Sequence, residues 1–195
     1  MRDDIHTVFI INGAENSAHS QGNYNRGLTT TAQETLAPHF KILTTEIAKG
    51  YDPLEEIEKY KQANIVIYQY PVYWFMVPSS LKKYMDEVFT YGDFYIYSDG
   101  PYGSGGLMQG KKILISTSWN APQEAFHDTD AFFDGMAPEE AILAMRKAHQ
   151  YCGFQELPHF SAHNVVKDPQ FETNNSRFAV HLKKTFGLDD MTVAA

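Results

Sequence analysis

Residues Ala63-Asn64-Ile65-Val66-Ile67-Tyr68-Gln69-Tyr70, followed at once by Pro71-Val72-Tyr73-Trp74-Phe75-Met76-Val77-Pro78, decide how this chain folds. The first eight are mostly β-branched and aromatic, the pattern of a strand covered on both faces; a strand with one wet face would alternate apolar with polar residues. Pro71 and Pro78 then bracket three consecutive aromatics and stiffen the backbone around them. A buried parallel strand ending in a rigid aromatic loop is the predicted arrangement.

Working outward, residues 5–11 form a near-continuous apolar run that stops at the turn signal Asn12-Gly13, and a helix begins near Asn23 and reaches about Ala37. Residues 40–47 read as a further strand. Pro53, suited to the first position of a helix, opens a short one whose Glu and Lys residues are expected to face water. Pro78-Ser79-Ser80 caps a helix to about Phe89, with Leu81, Met85, Val88 and Phe89 on its core side. A long loop over 91–110 leads to a strand over Lys112–Ser118, a helix over 139–151, a last strand within 154–165 and a last helix over 176–186. Strands alternate with helices, and no repeat or low-complexity linker interrupts them. The expected class is α/β: a doubly wound five-stranded parallel sheet with helices on both faces, in one domain over residues 1–195.

Composition narrows the function. The chain has 195 residues, and its net charge of -8 disfavours contact with phosphate backbones, which depends on Lys and Arg displacing counterions. Nucleic acid is not an expected partner. The charged start, Met1 to Asp4, and the lack of any apolar run of about 18 residues predict neither secretion nor a membrane span, hence a cytoplasmic protein. Cys152 is the single cysteine and reads as a small buried hydrophobe. The aromatic content of 14% exceeds what a core needs and suits stacking on a planar ligand or a partner.

A doubly wound sheet binds ligands beyond the carboxyl ends of its strands, here segments 13–25, 71–78 and 119–126. The first, Gly13-Ala-Glu-Asn-Ser-Ala-His-Ser-Gln-Gly-Asn-Tyr-Asn25, opens a helix whose free N–H groups suit phosphate; His19, Ser20 and Asn25 add donors, or Ser and Asn merely cap the helix. It matches neither G-x-G-x-x-G nor G-x-x-x-x-G-K-[ST]. In the second, Tyr73, Trp74 and Phe75 sit where a flat ring would lie, or pack as a corner under the next helix. The third, Ser118-Trp119-Asn120-Ala121-Pro122, sets an aromatic and an amide at the same edge. Gly103-Ser104-Gly105-Gly106 neither follows a strand nor opens a helix, and is expected to be a flexible loop. There is no G-x-S-x-G, and the eight histidines are scattered without H-E-x-x-H spacing. The reactive group is therefore expected to be an imported redox cofactor.

Ile11-Asn-Gly-Ala14, Ala18-His-Ser20, Pro71-x-x-Trp74, Lys82-Lys-Tyr84 with Asp86-x-Val-Phe89, Tyr102-Gly-Ser-Gly-Gly-Leu107 with Gln109-Gly-Lys-Lys112, and Trp119-Asn-Ala-Pro-x-Glu-Ala-Phe126 run through nearly the whole chain. Together they resemble the flavodoxin-like NAD(P)H:quinone oxidoreductases of the modulator of drug activity B family. The resemblance implies non-covalent FAD, an obligate homodimer, NAD(P)H as reductant and two-electron reduction of a quinone by ping-pong hydride transfer. It places His19, Ser20, Gln21, Gly22, Asn23, Tyr24 and Asn25 at the diphosphate and adenosine end. Pro71, Val72, Tyr73 and Trp74 with Ser118, Trp119, Asn120 and Ala121 would frame the isoalloxazine, and Tyr102 would approach it from the long loop. No side chain is assigned a catalytic role, His127 included, and no metal is expected. Val72-Tyr73 departs from a Gly-Trp pair of the family. The rival expectations are an FMN-dependent azo- or chromate-reductase, a flavodoxin-type single-electron carrier, and a flavin-free binding module on the same fold. The aromatic segment 91–110 speaks against a carrier, which keeps its flavin edge open.

Overall fold

The computed structural model describes residues 6–16 and 20–188. Its strands are β1 (Thr7–Asn12), β2 (Lys41–Glu46), β3 (Ile65–Pro71), β4 (Lys112–Ser118), β5 (Gln155–Glu156) and β6 (Phe160–Ala162). The helices are α1 (Asn23–Leu36), α2 (Pro53–Gln62), α3 (Ser79–Val88), α4 (Pro138–Ala141), α5 (Leu143–Tyr151) and α6 (Phe171–Thr185). The sheet order is β2-β1-β3-β4-β5, all parallel, with β6 also on β4. Winding reverses between β1 and β3, so the crevice above their carboxyl ends is the switch point.

The expected fifth strand is split into β5 and β6. Pro158 has no N–H for the ladder, and at the gap the Ile115 N–H donates to His159 Nδ1 at 3.0 Å instead. An imidazole thus replaces a backbone carbonyl between the two pieces.

Side chains alternate across the sheet as the two-residue period requires. Phe9, Ile11, Val66, Tyr68, Tyr70, Ile113 and Ile115 pack with residues of α2, α3 and α5. Val8, Ile10, Ile67 and Leu114 pack with Leu28, Ala32 and Leu36 of α1 and Phe178 and Leu182 of α6. At the carboxyl edge the second face turns polar, with Gln69, Ser116 and Ser118 in line with Ile67 and Leu114. That change of chemistry marks where the site begins.

Four local expectations are corrected. Glu56 of α2 does not face water: it is 1% exposed, and its carboxylate accepts from Thr45 Oγ1 (2.8 Å), Tyr84 Oη (2.8 Å) and Lys59 Nζ (2.6 Å). It pins α2 to both β2 and α3. The serines do not cap α3 by their side chains; the Glu15 carboxylate does, accepting from Ser80 N–H and Ser79 Oγ at 3.3 Å each. The helix over 139–151 breaks at Ile142, whose backbone leaves helical values while its side chain turns into the core. The last helix starts at Phe171, five residues early, because Phe171 packs edge-on to Tyr24 (5.2 Å) and over Gly27, where a Cβ would lie 2.4 Å from its ring. Asn174 adds a bond from Nδ2 to the Gln170 carbonyl at 3.0 Å, so tertiary contacts override the weak propensity of Thr and Asn.

His149 is fully buried among Tyr68 (5.0 Å), Phe89 (5.2 Å) and Phe154 (5.6 Å). Nδ1 donates to the Met145 carbonyl at 2.8 Å, whereas Nε2 has no hydrogen-bond partner among the described residues. Burial pulls its pKa down to about 4. The unfolded chain, titrating near the ordinary 6.5, takes up a proton the folded one refuses. Full stability therefore holds above about pH 6.5 and falls as pH drops toward 4, by roughly 3 kcal/mol from this residue. His159, His163 and His181 are lowered too, each first by burial, and act in the same direction. Urea denaturation between pH 7.5 and 4 should show the slope, and His149→Phe should flatten it. An unchanged slope would mean the buried imidazole accepts a proton after all.

Candidate functional site

The three loops meet at the carboxyl edge and are bonded to one another. Gly13 N–H donates to the Gln69 carbonyl at 2.8 Å, and Val72 N–H to the Ser118 carbonyl at 2.9 Å. The hydroxyls of Tyr73 and Ser20 are hydrogen-bonded, which joins the first loop to the second. Close packing of Gly13 holds the entry to the first loop, since a Cβ there would lie 2.7 Å from Leu81 and 3.2 Å from Tyr70.

Beneath the edge runs a buried polar chain. Asn25 Oδ1 accepts from Gln69 Nε2 (2.7 Å) and Ser118 Oγ (3.0 Å), and Gln69 Oε1 accepts from Ser116 Oγ (2.5 Å). Asn25 is 5% exposed, so its side chain locks α1 to β3 and β4. Above it, α1 begins with Gly22 at φ 68°, has no side-chain cap, and carries no acidic residue in its first turn. The first N–H groups of a helix have no partners inside it, and an uncapped start is an anion site. Ser20, Gln21 and Asn23 are exposed beside it; Asn23 Oδ1 accepts from Arg26 at 2.8 Å, and Tyr24 turns its ring to Phe171. His19 lies outside the described residues. The nearby Glu15 carboxylate is held at the start of α3, so it does not point its charge at α1 unopposed.

The second loop is a two-residue hairpin. Tyr73 and Met76 exchange N–H···O bonds of 2.9 and 3.0 Å, and the residues between them, Trp74 and Phe75, sit at φ 50° and 63°. That is the backbone sense that normally selects Asn-Gly. Two bulky aromatics in the left-handed region are strained, and such strain gathers at functional sites. Trp74 is 87% exposed; Phe75 stacks on Phe132 at 5.5 Å.

In the third loop Ser118 faces Asn25, while the Trp119 ring, 2% exposed, packs edge-on to Phe126 (5.2 Å) and Phe133 (5.8 Å), with Nε1 donating to Thr117 Oγ1 at 2.8 Å. Trp119 braces the loop from below, Asn120 is exposed, and Ala121 is half-buried against the core. Tyr102 is not brought to this crevice within one chain. Its segment joins the end of α3 to the start of β4 and is not one of the three loops at the carboxyl edge. There it is 97% exposed beside Tyr151 at 5.5 Å. Nor is 103–106 a flexible loop. A Cβ on Gly105 would fall 1.9 Å from the Ile96 carbonyl oxygen and one on Gly106 2.4 Å from Cys152, so the glycines allow close backbone packing. Cys152 itself is buried, its thiol pushed up to about 12 by burial and inert at neutral pH.

The profile described as a flavodoxin-like fold matches residues 6–185. The chain belongs to the flavodoxin-like family. Over 190 residues it is 38% identical to the NADPH:quinone oxidoreductase MdaB of Haemophilus influenzae, covering 92% of this chain and 99% of that one. Among solved structures, general stress protein 14 of Treponema denticola in complex with FMN superposes with a TM-score of 0.71 at 22% identity (92% of this chain, 99% of that one). An NAD(P)H:quinone oxidoreductase from Methanothermobacter marburgensis gives 0.70 at 18% (93% and 97%). At such identities these two speak to the fold alone.

Three residues of this flavodoxin-like site escape a sequence reading. Gln69 had a signal, a polar residue late in an apolar strand. Glu15 and His163 had none: Glu15 acts across 65 residues, and His163, whose Nε2 pairs with Ser161 Oγ at 2.9 Å, reaches the third loop through Phe126 at 5.2 Å. Among the described residues no His, Cys, Asp and Glu cluster is placed to hold a metal ion, and no helix is long and apolar enough to cross a membrane.

Proposed function

We propose that this chain is a flavin-dependent NAD(P)H:quinone oxidoreductase in a single domain, with FAD as cofactor. The observation that carries the reading is the Trp74–Phe75 hairpin, two strained aromatics held open to solvent where the first and third loops converge. Bound flavin would supply hydride chemistry; the chain's own part is to bind, orient and shield. The uncapped start of α1, with Ser20, Gln21, Gly22 and Asn23, would hold the diphosphate, and His19 belongs to the same motif. Asn25 would act one step behind, fixing the helix that carries those N–H groups. Pro71, Val72, Tyr73 and Trp74 would frame the ring with Ser118, Asn120 and Ala121, while Trp119 supports that wall. The N–H groups of Trp74 and Phe75 lie outside the hairpin's own two bonds and suit an electron-rich ring edge. The name of the Haemophilus relative supports NADPH as donor and quinone as acceptor. The family resemblance makes a homodimer part of the proposal, and the exposed Tyr102 would approach the ring in it.

The test begins with the absorption spectrum of the purified protein and the identity of the flavin released on heating. FAD is expected; FMN would favour the azo- or chromate-reductase reading, which the FMN complex of the Treponema protein supports at the level of fold. Steady-state rates with NAD(P)H and a simple quinone should give parallel double-reciprocal lines. Intersecting lines would exclude one shared crevice, and a colourless protein without flavin affinity would overturn the proposal.

A further inference from the structure

Beyond β4 the third loop is held along one side only. Trp119 N–H donates to the Ala162 carbonyl at 2.8 Å, Val165 N–H to the Trp119 carbonyl at 3.0 Å, and Asn164 N–H to the Ala121 carbonyl at 3.1 Å. In a strand the backbone groups of successive residues face alternate neighbours. Ser118 faces β3, since its carbonyl accepts from Val72 N–H at 2.9 Å, whereas Trp119 and Ala121 face the 162–165 segment. Asn120, between them, faces the second loop. That loop has by then turned back on itself in the Tyr73–Met76 hairpin, and the Asn120 N–H has no partner among the described residues.

The grip depends on the backbone of Asn164, at φ 56°. The successive N–H groups of Asn164 and Val165 both reach the third loop; in an extended chain they would point apart. A left-handed residue lets neighbouring N–H groups converge on one side. The Asn164 carbonyl accepts from Asp168 N–H at 2.9 Å, which closes the turn. Asparagine tolerates this conformation, glycine adopts it freely, and a β-branched residue resists it.

From this one-sided grip we infer that Asn164 is a positioning residue: its left-handed turn holds the third loop against the end of β6 and keeps the Asn120 N–H open toward the crevice, as a donor to the flavin. Asn164 acts through Trp119 and Ala121 and does not itself meet the ligand. The inference rests on the flavin reading of the crevice proposed above.

Exchange of the Asn120 amide should be followed by NMR in the flavin-free and the FAD-loaded protein. FAD is expected to slow it roughly tenfold or more in the wild type and in Asn164→Gly, which keeps the turn, but not in Asn164→Val, or Asn164→Ala if valine prevents folding. The valine variant should also bind FAD roughly three- to tenfold more weakly, the worth of one net hydrogen bond, while the glycine variant stays within about twofold of the wild type. A purely structural turn would lower the unfolding midpoint of flavin-free Asn164→Val and leave the FAD-dependent slowing intact, which would overturn the inference. So would a glycine variant as impaired as the valine one, because the backbone sense would then not be what matters. If the wild type binds FAD and reduces quinone while Asn120 exchanges as fast as without it, the positioning role falls and the flavin reading stands; if it binds no FAD, both fall.

Discussion

Trp74→Asn is expected to melt later than the wild type and to reduce quinone roughly two- to tenfold more slowly. Trp74 holds φ 50° with 87% of its surface in water, so its ring contributes little packing in the chain itself. A left-handed conformation costs an ordinary residue about 1–2 kcal/mol, and Asn is one of the few side chains that relieve it through local hydrogen bonds. Asn also avoids the extra unfolded-state entropy that glycine would bring. The net gain should be about 1 kcal/mol, a rise of roughly 2–4 °C for a chain of this length. Activity should move the other way, because an aromatic platform worth about 0.5–1.5 kcal/mol of stacking disappears and the hairpin no longer projects it. Calorimetry and NAD(P)H-dependent quinone reduction on one preparation decide it. A lower melting temperature would show that the hairpin is relaxed with tryptophan in place, and unchanged rates would remove Trp74 from the site.

The opposed signs in that experiment explain which features were legible. Whatever rests on period and burial was readable: 63–70 as a buried parallel strand, the helices between strands, and the crevice at the carboxyl ends of β1, β3 and β4. What depends on backbone sense was not, because Trp-Phe carries no signal for two consecutive positive φ angles, and only the Tyr73–Met76 bonds reveal the hairpin. Long-range satisfaction of polar groups was equally hidden. Glu56, Asn25 and Glu15 look like surface residues or ligand contacts in one dimension, yet Thr45, Ser118 and Ser80, which they hold, lie 11 to 93 positions away. Pro158 could have announced the split of the last strand; the imidazole that fills the gap could not have been guessed. Tyr102 illustrates a different limit: the family resemblance placed it at the ring, whereas its segment lies between α3 and β4, outside the three loops that meet at the carboxyl edge.

Asn25 separates a ligand contact from an internal strut, and the second large effect is expected there. Asn25→Ala removes the acceptor that Gln69 Nε2 and Ser118 Oγ share at 2.7 and 3.0 Å, leaving two buried donors to find others in a site closed to water. At about 1–3 kcal/mol for each unmatched group, and allowing the hydroxyl to turn elsewhere, the loss should be about 3 kcal/mol, a large share of the roughly 5–15 kcal/mol that keeps a domain folded. Because Asn25 and Ser118 touch, Ser118→Ala in the Asn25→Ala background should cost less than it does alone, with a coupling of about 1 kcal/mol or more in a double-mutant cycle. Urea midpoints of the flavin-free protein at constant slope measure both. If Asn25 instead reaches into the crevice, the flavin-free midpoints will not move and only flavin affinity will fall. Loss of stability first, with weakened flavin binding as its consequence, is the expected order, since the start of α1 keeps its aim only while Asn25 holds the helix against β3 and β4.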